Sequence, residues 1–218
     1  MPMTFLRRTC CTLLCLASLP AFALSEQGQE NLQALQTRWA EINYQLPEAQ
    51  REAAFAKLSE QAKQALAAEP KAPELLIWRG IILSTYAGAK GGLGALGLVK
   101  EAKASLEQAL EEDPRALSGS AYTSLGSLYY QVPGWPIGFG DDDKAEALLK
   151  QALAINPDGI DPNYFYGDFL YRAKRYEEAK QALNKALQAP PRPNRASADQ
   201  GRREEITKLL KQVEAKLG

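Results

Sequence analysis

Histidine is absent from all 218 residues. That excludes Ser-His-Asp and Cys-His catalysis and every histidine-ligated metal site. Cysteine is confined to Cys10, Cys11 and Cys15, so residues 24–218 can hold neither a disulfide nor a thiolate site. No charge of one sign prevails, because 26 Lys and Arg meet 26 Asp and Glu. No global field therefore recruits nucleic acid or an anionic membrane. No long apolar run follows the first 23 residues, and none approaches the roughly 20 residues needed to span a bilayer. What is present, 45% hydrophobic and 24% charged residues, suits a globular chain able to build a sizeable core.

Residues 1–23 read as a secretory signal. Arg7 and Arg8 form a basic start, Thr9 to Leu19 form a short apolar stretch, and Pro20 precedes the small-x-small site Ala21-Phe22-Ala23. Leu13 and Leu14 stand before Cys15 where a lipidated cysteine would follow small residues. Cleavage would carry away all three cysteines and leave a small acidic excess. The expected location is the periplasm, with no membrane span after cleavage.

Residues 24–218 repeat themselves. Three segments share A-x3-L-x2-A-L-x3-P: Ala102/Leu106/Ala109/Leu110/Pro114, Ala145/Leu149/Ala152/Leu153/Pro157 and Ala179/Leu183/Ala186/Leu187/Pro191. A weaker copy is Leu58/Ala62/Ala65/Leu66/Pro70. Ala, Leu and Ala at i, i+4 and i+7 make one helix face, small enough for a neighbouring helix to approach, and proline stops the helix. Each copy needs an earlier partner helix with glycine at the crossing, a role that fits Gly80, Gly126 and Gly167. The prolines are 44, 43 and 34 residues apart, and the last interval is the tetratricopeptide period.

On these residues the chain resembles the tetratricopeptide repeat (TPR) family over about residues 40–191. Leu replaces the family's Phe, and Leu76, Tyr122 and Asn163 fill its Trp slot. The resemblance implies an all-α, TPR-type α-solenoid of three to four helix pairs. The expected division is a degenerate capping repeat over 26–70, repeats over 71–114, 115–157 and 158–191, and a capping helix over 196–218. Leu32, Leu35, Trp39, Ile42 and Leu46 give the first cap its apolar face; Ile206, Leu209, Leu210, Val213 and Leu217 give the last.

Two departures from the period are expected as inter-helix insertions, side by side at one end of the stack. The first, Tyr86 to Leu98, contains Gly92-Leu93-Gly94-Ala95-Leu96-Gly97. It matches G-x-G-x-x-G formally, but no strand precedes it, so a flexible loop is expected rather than a dinucleotide site. The second, Gln131 to Asp141, places Pro133, Trp135, Pro136, Ile137 and Phe139 on a stiff loop. Either these groups tuck onto the repeats' own core, or they wall a pocket or meet a partner. More than half of the chain's aromatic residues lie between Tyr122 and Tyr171. The loop GWPIGFGDDDKA is also similar, across residues 119–157, to the periplasmic TPR component associated with TRAP transporters.

Family offsets carried from each glycine put Glu74, Ile77, Ile81 and Ser84 on the concave face. They add Ser120, Thr123, Ser127 and Tyr130, then Asp161, Tyr164, Asp168, Tyr171 and Arg172. The expected binding residues are Tyr130, Trp135, Phe139, Asp161, Tyr164, Asp168, Tyr171 and Arg172, an aromatic and weakly acidic surface. Asp161 and Asp168 sit about 10 Å apart by helical rise, and no constellation points to catalysis. Asp141 to Asp143 read as a helix N-cap, since the calcium-loop spacing is missing. Arg192, Arg195, Arg202 and Arg203 read as a solvated basic face. A non-catalytic scaffold for a protein or peptide partner in the cell envelope is expected, with a small amphipathic ligand as the alternative. No cofactor, metal or nucleic acid is expected.

Overall fold

A computed structural model describes residues 24–218 of the chain; the signal-peptide reading falls on residues outside that range. Among the described residues there are nine helices and no strand. They are α1 (Glu26–Tyr44), α2 (Glu48–Ala68), α3 (Pro73–Lys90), α4 (Ala95–Glu112), α5 (Ala116–Gln131), α6 (Asp142–Ile155), α7 (Ile160–Arg172), α8 (Tyr176–Leu187) and α9 (Ala196–Leu217). The first eight pair as α1/α2, α3/α4, α5/α6 and α7/α8. The fold is an all-α solenoid of TPR type.

The repeated glycines and leucines meet each other. A Cβ at Gly80 would lie 2.5 Å from Leu106 Cγ, one at Gly126 2.9 Å from Leu149 Cγ, and one at Gly167 2.7 Å from Leu183 Cγ. All three leucines are fully buried, as are Ala102, Ala145 and Ala179 one turn before them. Only a residue without a side chain allows this approach. Burying each leucine contributes about 2 kcal/mol of apolar transfer before packing is counted.

The odd-numbered helices line the inner surface, each touching the next odd one, α1 with α3, α3 with α5, and α5 with α7. Helix α9 caps the last repeat through Ile206, Leu210 and Val213, which join the same buried cluster as Leu183 and Ala186. It does more than cap. Its N-terminal half reaches back to α1, where Ala198 enters the cluster of Leu35, Trp39 and Ile42. Gly201 lies so close to Tyr44 that a Cβ there would overlap the ring. Gln45 Nε2 donates to Ser197 Oγ at 3.0 Å. The stack is thus closed by its own last helix.

The two insertions differ from expectation. Most of the first is helical: α3 continues to Lys90, α4 begins at Ala95, and only 91–94 connect them. The reason is Val99, buried three residues before Ala102, which extends the apolar face of α4 backwards. The G-x-G-x-x-G segment therefore runs from a helix end into a helix start, with no strand.

The second insertion is a true loop and divides its side chains. Phe139 packs edge-on against Tyr129 at 5.5 Å, under Lys103. Trp135 and Ile137 project outward, 90% and 60% exposed. Asp141 Oδ1 accepts from the Lys144 amide at 3.0 Å and caps α6. At the start of α5, Leu117, Ser118 and Gly119 take left-handed backbone with φ of 46°, 56° and 77°. That strain costs about 1–2 kcal/mol per non-glycine residue, and it seats Leu117 between the two buried clusters.

Candidate functional site

Closure by α9 turns the concave face into a cavity of about 790 Å³. One wall is hydroxyl-rich: Ser84 and Thr85 come from α3, and Ser120, Thr123, Ser124 and Ser127 from α5. Serine and threonine recur there because a close neighbour helix leaves little room, and several satisfy their own helix. Ser84 Oγ donates to Gly80 O at 2.7 Å, and Ser127 Oγ to Ser124 O at 2.8 Å.

The rest of the lining is aromatic and cationic. Trp39 contacts Tyr44 and Trp78 edge-on, with centroids 5.7 and 5.9 Å apart, and its Nε1 donates to Thr85 Oγ1 at 2.9 Å. The Arg195 guanidinium lies over Trp78 at 4.8 Å. The Arg202 guanidinium lies over Tyr164 at 4.3 Å and Phe165 at 4.8 Å.

Arginines and carboxylates meet behind those rings. Arg202 Nε donates to Asp161 Oδ1 at 2.9 Å, and Arg192 Nη1 to Asp161 Oδ2 at 2.5 Å. Arg192 also holds Asp199 through its Nε at 2.6 Å and its backbone amide at 2.8 Å. Arg202 Nη1 reaches Glu205 Oε2 at 2.6 Å. Burial pushes the Asp161 carboxyl up, but Arg202 and Arg192 outweigh it and hold the pKa at about 2. Burial likewise raises Tyr164, to about 12. Asp168 accepts from Tyr130 at 2.8 Å and from Arg172 at 3.3 Å. Burial, then Asp168, drives the Tyr130 phenol well above its ordinary range. Both aspartates that could serve as paired acids are thus committed to partners.

Arg195 differs from its neighbours. It makes no ion pair or side-chain hydrogen bond among the described residues, and its Nε is shielded from solvent without an acceptor. Burial, then the nearby Arg192, lowers its pKa. A buried donor left unmatched costs about 1–3 kcal/mol.

Of the expected binding residues, Asp161, Tyr164, Asp168 and Arg172 line the cavity. Tyr130 stands one layer behind, on Asp168 and under Arg172. Tyr171 packs on Tyr176 instead, and Trp135 and Phe139 lie on the outer loop, away from the cavity lining. Ile77, expected on the concave face, is fully buried. The arginine cluster overturns the solvated reading: Arg192, Arg195 and Arg202 line the cavity, and Arg203 caps α8 by donating to Leu187 O and Ala189 O. The wall is accordingly not acidic, since Asp161 is neutralised from both sides. Spacing hid this, because the partners of α9 are set by closure. The one local signal was arginine at 192 and 195 in a proline-stiffened run that leads into a helix.

Helix pairs stacked in register around a concave cavity define an α-helical repeat protein. Residues 137–202, from the second insertion into α9, match the tetratricopeptide repeat family. A type IV pilus assembly protein, PilF, from Pseudomonas aeruginosa is 36% identical over 110 residues, covering 48% of this chain and 39% of that one. The chain thus spans about two-fifths of that relative's length. Two solved structures are similar at low identity. The thermophilic TPR protein TTC0263 from Thermus thermophilus is 20% identical with a TM-score of 0.42, covering 83% of this chain and 98% of that one. A MamA fragment from Desulfovibrio magneticus RS-1 is 15% identical with a TM-score of 0.47, covering 88% and 96%. None of these bears on the similarity of residues 119–157 to the TRAP-associated component. No helix among the described residues is long and apolar enough to cross a membrane.

Proposed function

We propose that the chain is a non-catalytic scaffold of the cell envelope that holds a segment of a protein partner. The observation that carries this reading is the concave cavity, lined by hydroxyls of α3 and α5, by aromatic rings and by arginine. Such walls suit an extended chain, whose backbone groups meet hydroxyls while its side chains lie on rings. The relative PilF, by its name a pilus assembly protein, supports a role in assembling other proteins. The export reading of residues 1–23 supports an envelope location. Trp135 and Ile137, held out on a short loop, form a second contact for the same partner.

A photo-reactive residue at Ser124 inside the cavity, and another at Trp135, would test the proposal in living cells. Both positions are expected to capture one and the same protein. Capture at neither position contradicts the scaffold. A second reading, a small amphipathic ligand, is favoured by the cavity's volume, which lies within the roughly 300–1,000 Å³ of ligand sites. Adducts of low mass at Ser124 with no protein at Trp135 would select it.

A further inference from the structure

We infer that residues 190–205 are a displaceable strap that fills, from within the chain, a binding site for arginine on α7, and that the partner segment enters by offering an arginine in place of Arg202. This rests on the reading of the cavity as a binding site. It names the partner's chemistry and the step that admits it.

The strap is tied to the fold by different means from the rest of α9. From residue 206 onward, Ile206, Leu210 and Val213 bury the helix against the last repeat. Between residues 196 and 205, Ala198 alone is a buried apolar side chain, and Gly201 weakens the helix there. Arg192 is clasped to Asp199 within the strap itself, by its backbone amide and its Nε, so the strap keeps its shape and moves as one piece. Its grip on the other helices is polar and aromatic. Arg202 Nε and Arg192 Nη1 take the two oxygens of Asp161, and Tyr44 Oη donates to Glu205 Oε2 at 3.4 Å. The fit is incomplete, since Arg195 Nε has no acceptor among the described residues.

What the strap leaves behind is a site for a guanidinium. Arg202 is buried with its charge on Asp161 and its plane 4.3 Å from the Tyr164 ring centre and 4.8 Å from that of Phe165. A carboxylate beside aromatic faces matches the fork and the flat surface of arginine better than the point charge of lysine. Asp161, Tyr164 and Phe165 all belong to α7, so the site survives when the strap lifts. Lifting the whole strap returns its charges to water together, which avoids the penalty of orphaning one of them inside the protein. Only the open fraction of the chain can take the partner's arginine, so the closed strap lowers apparent affinity by that fraction.

Two synthetic peptides copying residues 190–205 serve as probes, one unaltered and one with citrulline, the uncharged analogue, at its three arginines matching Arg192, Arg195 and Arg202. Binding to the purified full chain is followed by calorimetry. Arg202→Gln loosens the chain's own strap and keeps the site. It is expected to bind the arginine peptide about tenfold or more tighter than the citrulline peptide, and about tenfold or more tighter than the unaltered chain does. Gly201→Leu, which thrusts a side chain into the Tyr44 ring, loosens the strap without removing a charge and should change binding in the same direction. Asp161→Asn loosens it too, but the preference for arginine should vanish with the acceptor. Amide exchange across residues 196–205 should quicken in all three variants, and capture of the partner by a photo-reactive residue at Ser124 should rise in Arg202→Gln and fall in Asp161→Asn.

Exchange that quickens in none of the variants would overturn the strap. Equal binding of the two peptides to Arg202→Gln and to Gly201→Leu would overturn the preference for arginine. Capture at Ser124 that is the same in Arg202→Gln, Asp161→Asn and the unaltered chain would overturn the inference while leaving the cavity as a site. Capture by none of them would remove both.

Discussion

The seams inside the repeats and the seam that closes the stack are made of opposite materials. Within a repeat, glycine faces a fully buried leucine and nothing polar intervenes, as at Gly126 and Leu149. At the closure, α9 and the run leading into it meet α7 and α1 through Asp161, Arg192, Arg202, Glu205 and Tyr44, with partners 31, 41 and 161 residues apart. Apolar seams are close-packed and sensitive to one methylene. Ion pairs that give up water gain little net stability, yet they fix geometry. The repeats therefore supply most of the stability, and the closure sets the shape of the cavity.

That division can be broken from either side. The largest effect is expected from Leu149→Ala, which leaves a void against Gly126 and should cost about 3–5 kcal/mol in denaturant unfolding. Gly126→Leu presses the same seam from the other helix and should cost about 3 kcal/mol by overpacking. An unchanged melting temperature in both would refute the helix-pair register. Asp161→Asn should cost somewhat less, about 2–3 kcal/mol, as its displaced pKa implies, with a different signature. Amide exchange should quicken in the first half of α9, and the α5/α6 pair should stay protected.

Acid provides a milder version of the same test. The Asp161 pKa is held at about 2, below its unfolded value of about 4. Its contribution is complete above about pH 4 and is lost as pH falls through about 2. The stability difference between the native chain and Asp161→Asn should be flat at neutral pH and vanish across that window. The smallest effect on stability belongs to Trp135→Ser, within about 0.5 kcal/mol, since the side chain buries little. It should nevertheless weaken capture of the partner.

The glycines, leucines and prolines of the repeats were legible in one dimension because each seam joins helices adjacent in the chain. The concave offsets transferred in part: Ile81, Ser84, Ser120, Thr123, Ser127, Asp161, Tyr164, Asp168 and Arg172 line the cavity, whereas Glu74, Ile77, Tyr130 and Tyr171 do not. Arg195 and Trp78 were not legible as a pair. Their meeting depends on how far the stack curves, a sum of small rotations that no local spacing encodes. The first insertion misled for a simpler reason. Glycine at 92, 94 and 97 suggested a loop, but Leu98 and Val99 had apolar neighbours to cover, and burial outweighed glycine's weak helix propensity.

The return of α9 to α1, which closes the cavity, is tested most directly by cysteines at Gln45 and Ser197, whose side chains touch at 3.0 Å across 152 residues. Cys10, Cys11 and Cys15 would be replaced by serine, and a short bismaleimide used as the linker. Rapid intramolecular cross-linking is predicted in the native chain, lost in denaturant. A native chain that resists the linker, with both cysteines still reactive singly, would contradict the closure.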